Sequence, residues 1–378
     1  MANNNKHTGP NVPALRFPEF SGEWEKMSLQ DCCSDFSYGL NAPAKAYDGV
    51  NKYIRITDID ENTSVYKSDD PVSPDGLLSD EYLVNENDIL FARTGASTGK
   101  TYLYNQNDGR LFYAGFLIKA NVNNNCDPYF IFSQTKTQSY RRWVEIMSTR
   151  SGQPGINSQE YASYPLYVPS KEEQEKIALL LRGLDKRILV QSKIIKEQET
   201  LLKSLADKLI SAQSANVAIC GCVDAKASTM KEGELESHGA FPVFGASGLC
   251  GYSNEALEES DSILVTKDGS GVGTCQYATG AHSFLGTLCS LTAKEGVYLP
   301  YVYYALLNFN FASFKTGLAI PHIYFKDYGK AVIYCPSYDE QVRIASGLEK
   351  LEAKINTDKE LLKQYQLQKE YLLSRMFI

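Results

Sequence analysis

The stretch PSKEEQEKIA at residues 169–178 decides how this chain folds, because it returns as PSYDEQVRIA at residues 336–345. The second copy begins 167 residues after the first (336 minus 169), and each copy opens a pattern typical of a long α-helix. The approaches match as well, with PGI at residues 154–156 and PHI at residues 321–323. Two copies are too few for a solenoid, whose repeats need several neighbours to bury a core. The repeat therefore predicts one globular unit plus one long helix, duplicated about an approximate two-fold axis.

The strand signals inside the two copies follow the same order. The more regular runs are residues 53–57, 88–92 and 112–118 in the first copy and residues 241–245, 262–266 and 286–291 in the second. A helix is expected after Pro128 and another after Pro300. We therefore expect an α+β protein in which two α/β domains form a pseudo-two-fold tandem, separated by two long antiparallel helices in a coiled coil. The expected segments are a tail at 1–21, a domain at 22–168, a central helix at 169–212, a domain at 213–335 and a C-terminal helix at 336–378.

The composition is that of an ordinary globular protein without a membrane span. The chain has 378 residues, 22% of them charged and 43% hydrophobic, and its nine cysteines show no Cys-x-x-Cys pair. No apolar run reaches the roughly 18 residues of a membrane helix, and the N-terminus lacks an apolar signal core, so we expect a cytoplasmic location. The net charge of −7 is unusual for a DNA-binding protein, so any phosphate contact must come from local patches or be shared with partner subunits.

The first long helix is predicted from Lys171 to Ala212, with Ser170 as its N-cap. Its apolar residues alternate in steps of four and three, and Gln191 and Gln198 interrupt them. A 3.5-residue repeat of this length is typical of a coiled coil, because it keeps one narrow stripe facing a partner helix. The predicted seam residues are Ile177, Leu181, Leu184, Ile188, Gln191, Ile195, Leu202, Leu205 and Leu209.

The second long helix, from Tyr338 to the C-terminus, repeats this phase and is interrupted by Asp358 and Lys369. Adding 167 to 191 gives 358, so an antiparallel pair would bring Gln191 and Asp358 face to face and set the register. Its predicted seam residues are Ile344, Leu348, Leu351, Ile355, Asp358, Leu362, Tyr365, Leu372 and Met376. The alternative is two independent amphipathic helices, each on its own domain, although such helices show a wider apolar face. About 40 helical residues make a rod of roughly 60 Å, which would hold the two domains at a set distance.

Two glycine-rich turns carry the candidate binding residues. Each follows a predicted strand and has a basic residue two positions before a glycine, Arg93 before Gly95 and Lys267 before Gly269. Backbone N–H groups beside a cation suit a DNA phosphate or base edge. DNA is also the commonest two-fold partner of paired modules. The candidate DNA-binding residues are Arg93, Thr94, Gly95, Lys100, Arg150, Gln153, Lys267, Gly269 and Ser270. The alternative is an ordinary solvent-exposed hairpin turn.

Several catalytic motifs are missing from the sequence. A phosphate-binding loop needs four residues between its first glycine and Gly-Lys-Thr, whereas only three separate Gly95 from Gly99. The four histidines lack metal-ligand spacing, and neither a Gly-x-Ser-x-Gly elbow nor an Asn-Pro-Pro-Tyr-like segment of amino-methyltransferases occurs. No catalytic or metal-binding residue is therefore predicted in this chain.

Taken together, these features resemble the DNA-specificity subunit of type I restriction–modification systems over nearly the whole chain. The resemblance rests on PALRFPEF at 13–20 with GEW at 22–24, YIRITDI at 53–59, SGQPGIN at 151–157, PVFGASG at 242–248 and LLSRMFI at 372–378. It implies two target-recognition domains, each recognising one half of a split, double-stranded DNA target, with the paired helices setting the gap.

The resemblance also implies that this chain is not an enzyme and binds no cofactor. It would recruit two methyltransferase subunits, which use S-adenosylmethionine, and motor–nuclease subunits, which use ATP and Mg. Two other functions remain open from the residues alone. One is an adaptor whose long helices bind proteins only, and the other is a nucleotide-dependent enzyme.

Overall fold

The computed structural model describes residues 11–61, 63–149, 155–317 and 320–378. These residues divide into two compact units. Unit 1 contains the described residues up to Ser192 together with Leu361–Ile378, and unit 2 is Lys193–Glu360. Each of the two long helices therefore contributes one part to each unit.

Unit 1 contains ten short strands and four short helices before the first long helix. Its strands are β1 (Glu25–Ser28), β2 (Cys33–Tyr38), β3 (Ala44–Ala46), β4 (Lys52–Ile54), β5 (Val72–Pro74), β6 (Asp88–Ala92), β7 (Thr101–Leu103), β8 (Leu111–Tyr113), β9 (Leu117–Val122) and β10 (Pro165–Val168). Its helices are α1 (Leu29–Cys32), α2 (Pro128–Gln134), α3 (Gln138–Ser148), α4 (Ser158–Ala162) and the first part of α5 (Lys171–Ala206).

The described residues of unit 2 repeat this plan with nine strands. They are β11 (Val217–Ala218), β12 (Val223–Ala227), β13 (Phe241–Gly245), β14 (Gly248–Ser253), β15 (Ser262–Thr266), β16 (Cys275–Ala278), β17 (Ser283–Phe284), β18 (Leu288–Ala293) and β19 (Val332–Ile333). Its short helices are α6 (Ile219–Cys222), α7 (Leu299–Leu307) and α8 (Phe325–Tyr328), and α9 (Tyr338–Arg375) is the second long helix.

The four-stranded sheets of the two units have the same topology, and two of the smaller strand pairs are also equivalent. Each has a four-stranded antiparallel sheet, in the order β2-β9-β6-β7 in unit 1 and β12-β18-β15-β16 in unit 2. Each also has one parallel pair, β4 with β8 and β13 with β17. Finally, an antiparallel pair joins the unit's first strand to its last, β1 to β10 and β11 to β19. The predicted α+β class and internal duplication are confirmed.

The expected single strand at residues 112–118 is wrong. The chain forms β8, turns at residues 114–116 and continues as β9, which belongs to a different sheet. The turn lies close to another part of the backbone, since a Cβ atom on Gly39 would be 2.3 Å from the Ala114 carbonyl oxygen. The apolar run indicated burial correctly, but burial does not reveal which sheet a strand joins.

The repeated glutamine of the opening motif has the same function in both units. The Gln174 side chain accepts a hydrogen bond from the Asp127 N–H (2.9 Å) and donates one to the Pro169 carbonyl (3.0 Å). Gln341 accepts from the Tyr298 N–H and donates to the Pro336 carbonyl, both at 2.9 Å. Asp127 and Tyr298 are the N-cap residues of α2 and α7. Each buried glutamine thus joins the start of a long helix to the start of a short helix in the same unit.

The two long helices run antiparallel within each unit. In unit 1, Asp185 of α5 pairs with Lys369 of α9 at 2.6 Å, while Glu173, nearer the start of α5, contacts Trp24, whose ring packs on Phe377. In unit 2, Gln198 donates a hydrogen bond to Asp358 (3.0 Å), and Ala206 shares a core cluster with Leu348.

The apolar stripes of both helices complete the core of each unit. Seam residues that are buried in unit 1 are Ile177, Leu181, Leu184, Ile188, Leu372 and Met376, and those buried in unit 2 are Ile195, Ile344, Leu348, Ile355 and Asp358. The partly buried ones are Gln191, Leu202, Leu205, Leu351, Leu362 and Tyr365.

Leu209 departs from the predicted seam, because its side chain is 39% exposed. The helix changes to π geometry at Asp207–Ser211, and the wider turn moves the buried stripe by one position. Ala206 and Ile210 are buried on either side of it.

Two polar residues of the second stripe have ionic partners. Asp358 is paired with Lys354 at 2.7 Å, and Lys369 is paired with Asp185. Asp185 also accepts a hydrogen bond from the Tyr129 hydroxyl of α2. The residue equivalent to Asp185 in the second copy is Glu352 (185 plus 167). Glu352 accepts a hydrogen bond from the Tyr304 hydroxyl of α7 at 2.7 Å. A tyrosine–carboxylate pair therefore fixes a long helix to its unit at equivalent positions.

Replacing Leu184 by Asp tests whether the helix stripe supports unit 1. Leu184 is 6% exposed within the unit-1 core, so Leu184→Asp should lower the free energy of unfolding by at least about 3 kcal/mol, measured by urea denaturation. Leu179 lies on the same helix and is 73% exposed, so Leu179→Asp is the matched control and should change stability by no more than about 0.5 kcal/mol. Equal effects of the two substitutions would contradict this packing.

Candidate nucleic-acid interface

The two predicted glycine-rich turns have the same backbone framework. We call residues 93–100, between β6 and β7, the unit-1 loop, and residues 267–274, between β15 and β16, the unit-2 loop. The unit-1 loop is closed by hydrogen bonds from Ala92 N–H to the Lys100 carbonyl (2.8 Å) and from Gly99 N–H to the Ala92 carbonyl (3.0 Å). The same bonds in the unit-2 loop join Thr266 to Thr274 and Gly273 to Thr266, both at 2.9 Å. The loops can therefore be compared position by position.

The first residues of the two loops are equivalent. The N–H groups of Arg93 and Lys267 donate to the carbonyls of Phe116 (3.0 Å) and Thr287 (2.9 Å). Their carbonyls accept from the N–H groups of Ile156 and Ile323, both at 2.9 Å. These isoleucines belong to the repeated PGI and PHI motifs, so two features that the sequence repeats separately are neighbours in each unit.

Two glycines in each loop adopt a backbone conformation that other residues rarely adopt. Gly95 and Gly99 have φ angles of +67° and +89°, and their equivalents Gly269 and Gly273 have +97° and +90°. The second glycine of each pair is also tightly packed. A Cβ atom on Gly99 would be 2.6 Å from the Val144 side chain, and one on Gly273 would be 2.8 Å from Phe311. The motif spacing predicted that Gly95 and Gly269 are equivalent, whereas the equivalence of Gly99 and Gly273 required the structure.

Arg93 is held against an aromatic ring. Its guanidinium group lies 4.7 Å from the Tyr38 ring centroid, and its Nη1 donates to the Gly115 carbonyl at 3.4 Å. The Tyr38 hydroxyl accepts a hydrogen bond from the Ser158 N–H. Burial alone would raise the pKa of Tyr38, but the hydrogen bonding of Ser158 and the charge of Arg93 lower it below its ordinary value. Among the described residues no carboxylate lies within 4.0 Å of this guanidinium group, so its charge is not neutralised locally.

Lys267 has a different environment from Arg93. Its ammonium group is paired with the carboxylate of Asp268 at 2.6 Å, and the two side chains are 25% and 37% exposed. Asp268 forms a β-bridge with His322, whose ring contacts that of Tyr324 at 5.3 Å. Lys326 lies over the other aromatic ring of this group, 5.2 Å from the Tyr324 centroid. The unit-2 loop thus has a cation paired with a carboxylate, whereas the unit-1 loop has a cation on an aromatic ring.

The remaining candidate residues are placed as follows. Lys100 is ion-paired with Glu61, and the hydrogen bond lowers the pKa of the Glu61 carboxyl, so this lysine offers less charge to DNA than its sequence suggested. Thr94 is partly buried and forms a β-bridge with Gly155, while Ser270 is exposed at the tip of the unit-2 loop. Arg150 and Gln153 lie outside the described residues.

Sequence reasoning missed several residues of these surfaces. Tyr38 comes from β2, and its distance in sequence from Arg93 gave no signal of their contact. Phe116 was included in a predicted strand, but it is 58% exposed in the turn beside Arg93. Asp268 follows Lys267 directly and matches Thr94 in the sequence, but its ion pair with Lys267 was not predicted.

Comparison with known proteins identifies the family. The family model for the type I restriction modification DNA specificity domain matches residues 21–200 and again residues 219–365. The chain therefore belongs to the type I restriction–modification DNA-specificity family.

A curated relative and two solved structures are similar to this chain. The specificity subunit of the type I restriction enzyme EcoprrI from Escherichia coli is 21% identical over 117 residues, which are 31% of this chain and only 29% of that relative. The crystal structure of a type I restriction–modification S subunit from M. genitalium has a TM-score of 0.69 and 19% identity, covering 97% of this chain and 99% of that one. A chain from a study of complex assembly and conformational transition of the type I R-M system has a TM-score of 0.52 and 15% identity, covering 93% and 96%. These likenesses show a shared fold.

Among the described residues, the protein has neither a membrane-spanning helix nor a cluster of metal-ligating side chains. No helix in this part of the chain is long and apolar enough to cross a membrane. Within the same residues, no group of three or more His, Cys, Asp or Glu side chains has an arrangement that could hold a metal ion.

The unit-1 loop gives a test of its tight packing. Gly99→Ala introduces a Cβ at positive φ that also contacts Val144, whereas Gly95→Ala introduces one at positive φ with nothing within 4 Å. Gly95→Ala should therefore cost about 1 kcal/mol from backbone strain, and Gly99→Ala at least about 1 kcal/mol more. Urea denaturation of both variants measures the difference, and a smaller loss for Gly99→Ala would contradict the packing.

Proposed function

We propose that this chain is the non-catalytic specificity subunit of a type I restriction–modification complex. Each unit recognises one half of a bipartite target in double-stranded DNA. Membership of the DNA-specificity family supports this role. The observation that carries it is the pair of loops, which have the same hydrogen-bonded framework but different side chains at equivalent positions. Two such loops on one duplicated scaffold suit the recognition of two different DNA sequences.

The long helices have two roles in this proposal. They set the gap between the two half-sites, and they dock two methyltransferase subunits. Motor–nuclease subunits complete the assembly. The antiparallel pairing, the ion pair of Lys369 with Asp185 and the hydrogen bond of Gln198 with Asp358 support a stiff helix pair. Exposed apolar side chains on α5, such as Leu179 and Leu189, support the docking of protein partners.

The proposal also accounts for the charge and for the chemistry that this chain lacks. With a net charge of −7, the chain shares its hold on the phosphates with its partners. S-adenosylmethionine belongs to the methyltransferase subunits, and ATP and Mg belong to the motor–nuclease subunits. This chain supplies the recognition.

One binding experiment tests the function directly. The full chain is combined with its methyltransferase subunits and a library of random duplexes, and the retained duplexes are sequenced. A split sequence motif with a constant gap is expected. A complex that forms without selecting any sequence would refute the proposal and would favour the protein-assembly adaptor.

Replacing the basic residue of either loop should weaken its own half-site. Arg93→Ala and Lys267→Ala each remove a cation from one loop, so each should reduce sequence selectivity at one half of the motif by about tenfold, measured by competition binding. Arg110 is 48% exposed, pairs with Asp80 and lies at the other end of β8 from Phe116, so Arg110→Ala is the control that should leave the motif unchanged. Unchanged selectivity in both loop variants would show that these cations do not contact the bases.

Lengthening the helices should widen the gap between the half-sites. Seven residues inserted between 192 and 193 and again between 360 and 361 add one heptad to both helices at matched layers. The added length of roughly 10 Å should increase the gap by about three base pairs, as measured by the same selection. An insertion in one helix only breaks the register and is the control, since it should reduce binding. A gap that stays the same in the doubly lengthened chain would contradict the spacing role.

A further inference from the structure

We infer that the two loops bind opposite kinds of hydrogen-bonding group on their half-sites. The unit-1 loop, through Arg93, binds the acceptor atoms of a guanine. The unit-2 loop, through Asp268, binds the exocyclic amino group of a cytosine or an adenine. This inference rests on the proposed function, because it assigns the chemistry of the same two surfaces.

The side chain of Arg93 suits a pair of acceptors on one base edge. A guanidinium group has only donors, and its fork matches the O6 and N7 atoms of guanine in the major groove. The Tyr38 ring and the Gly115 carbonyl hold the group in place before DNA is bound. The described residues place no carboxylate within 4.0 Å to compete for these donors. Thr94, the next residue, carries no charge, so the unit-1 loop offers a donor fork without an ionic acceptor.

The equivalent position in unit 2 carries an acceptor. Asp268 occupies the place of Thr94, directly after the basic residue. A carboxylate has only acceptors, so it pairs with the amino group of a base and not with guanine O6 or N7. Lys267 contacts one carboxylate oxygen, Oδ2, and within the described chain Oδ1 accepts no hydrogen bond. This oxygen is available to a base.

Nearby cations allow this carboxylate to approach DNA. An isolated carboxylate would be repelled by the phosphates, but the ammonium group of Lys267 neutralises Asp268 at 2.6 Å. Lys326 is linked to Asp268 by a series of contacts: its ammonium group lies over the Tyr324 ring, that ring contacts His322, and His322 forms a β-bridge with Asp268. Asp268 therefore selects the base, and Lys267 supports it by neutralising its charge, so the loss of either side chain weakens selectivity at this half-site.

The experiment removes single atoms from the DNA. The split motif is first selected with the full chain bound to its methyltransferase subunits. At each motif position, one base is then replaced by an analogue. Cytosine is replaced by 2-pyrimidinone, which lacks the 4-amino group, and adenine by purine, which lacks the 6-amino group. Guanine is replaced by 7-deazaguanine, which lacks N7. Competition binding is measured for the wild type, Asp268→Ala and Arg93→Gln. The cytosine and adenine analogues decide which amino group Asp268 binds.

The expected losses are specific to one loop each. One amino-lacking base in one half should weaken wild-type binding about tenfold and Asp268→Ala binding less than about twofold, because the variant has already lost the acceptor. One 7-deazaguanine in the other half should weaken the wild type about tenfold and Arg93→Gln less than about twofold. Asp268→Asn keeps an acceptor oxygen without the charge, so it should retain sensitivity to the missing amino group.

A matched control separates base contact from loss of charge. Asp224 is paired with Lys294 at 3.4 Å, and both lie toward the far end of β18 from the unit-2 loop. Asp224→Ala should therefore respond to every analogue as the wild type does. The inference is overturned if the amino-lacking bases weaken the binding of the wild type and of Asp268→Ala equally. It is also overturned if the effects of the amino-lacking bases and of 7-deazaguanine fall in the same half of the motif. In both cases the proposed function stands. A wild-type complex that selects no split motif overturns both.

Discussion

The structure depends on one constraint, namely that neither globular unit completes its core without parts of both long helices. In unit 1, Ile177 and Leu181 of α5 share a core cluster with Leu372 and Met376 of α9. In unit 2, Ala206 of α5 shares one with Ile344 of α9. Burial of these side chains contributes roughly 1.5–3 kcal/mol each, so the helices cannot leave a unit without a large loss of stability. The helices are thus part of each unit.

Polar groups determine where each helix is fixed along its length. The buried Gln174 and Gln341 join the two helix starts to the N-caps of α2 and α7. Farther along, Asp185 and Glu352 accept hydrogen bonds from tyrosine hydroxyls on those same short helices. Since a slipped helix would leave buried donors without acceptors, these contacts specify one register where apolar contacts alone would allow several. The repeated glutamine in the opening motif is therefore a structural requirement.

The sequence predicted the features that depend on periodicity and repetition, and it missed those that depend on contacts between distant residues. The bounds of β13 and β15 and the starts of α5 and α9 agree with the pattern. Leu209 is exposed because the helix changes to π geometry at Asp207–Ser211, and the heptad spacing does not predict that change. Similarly, the contact of Tyr38 with Arg93 joins β2 to the unit-1 loop, and these two segments are far apart in sequence. The sequence therefore predicted where the two glycine-rich loops lie in the chain, but it did not predict which side chains contact them.

Under the proposed function, the two loops give one duplicated scaffold two specificities. Their backbones must remain alike, because positive φ angles and close packing at Gly99 and Gly273 leave no room for a side chain. Diversity is therefore confined to side chains such as those of Thr94 and Asp268, which differ in charge while the main-chain hydrogen bonds around them stay the same. A single substitution at such a position can change the charge of one loop without disturbing the fold. Under the proposed function, recognition by each unit can therefore change while the helices that support the unit stay the same.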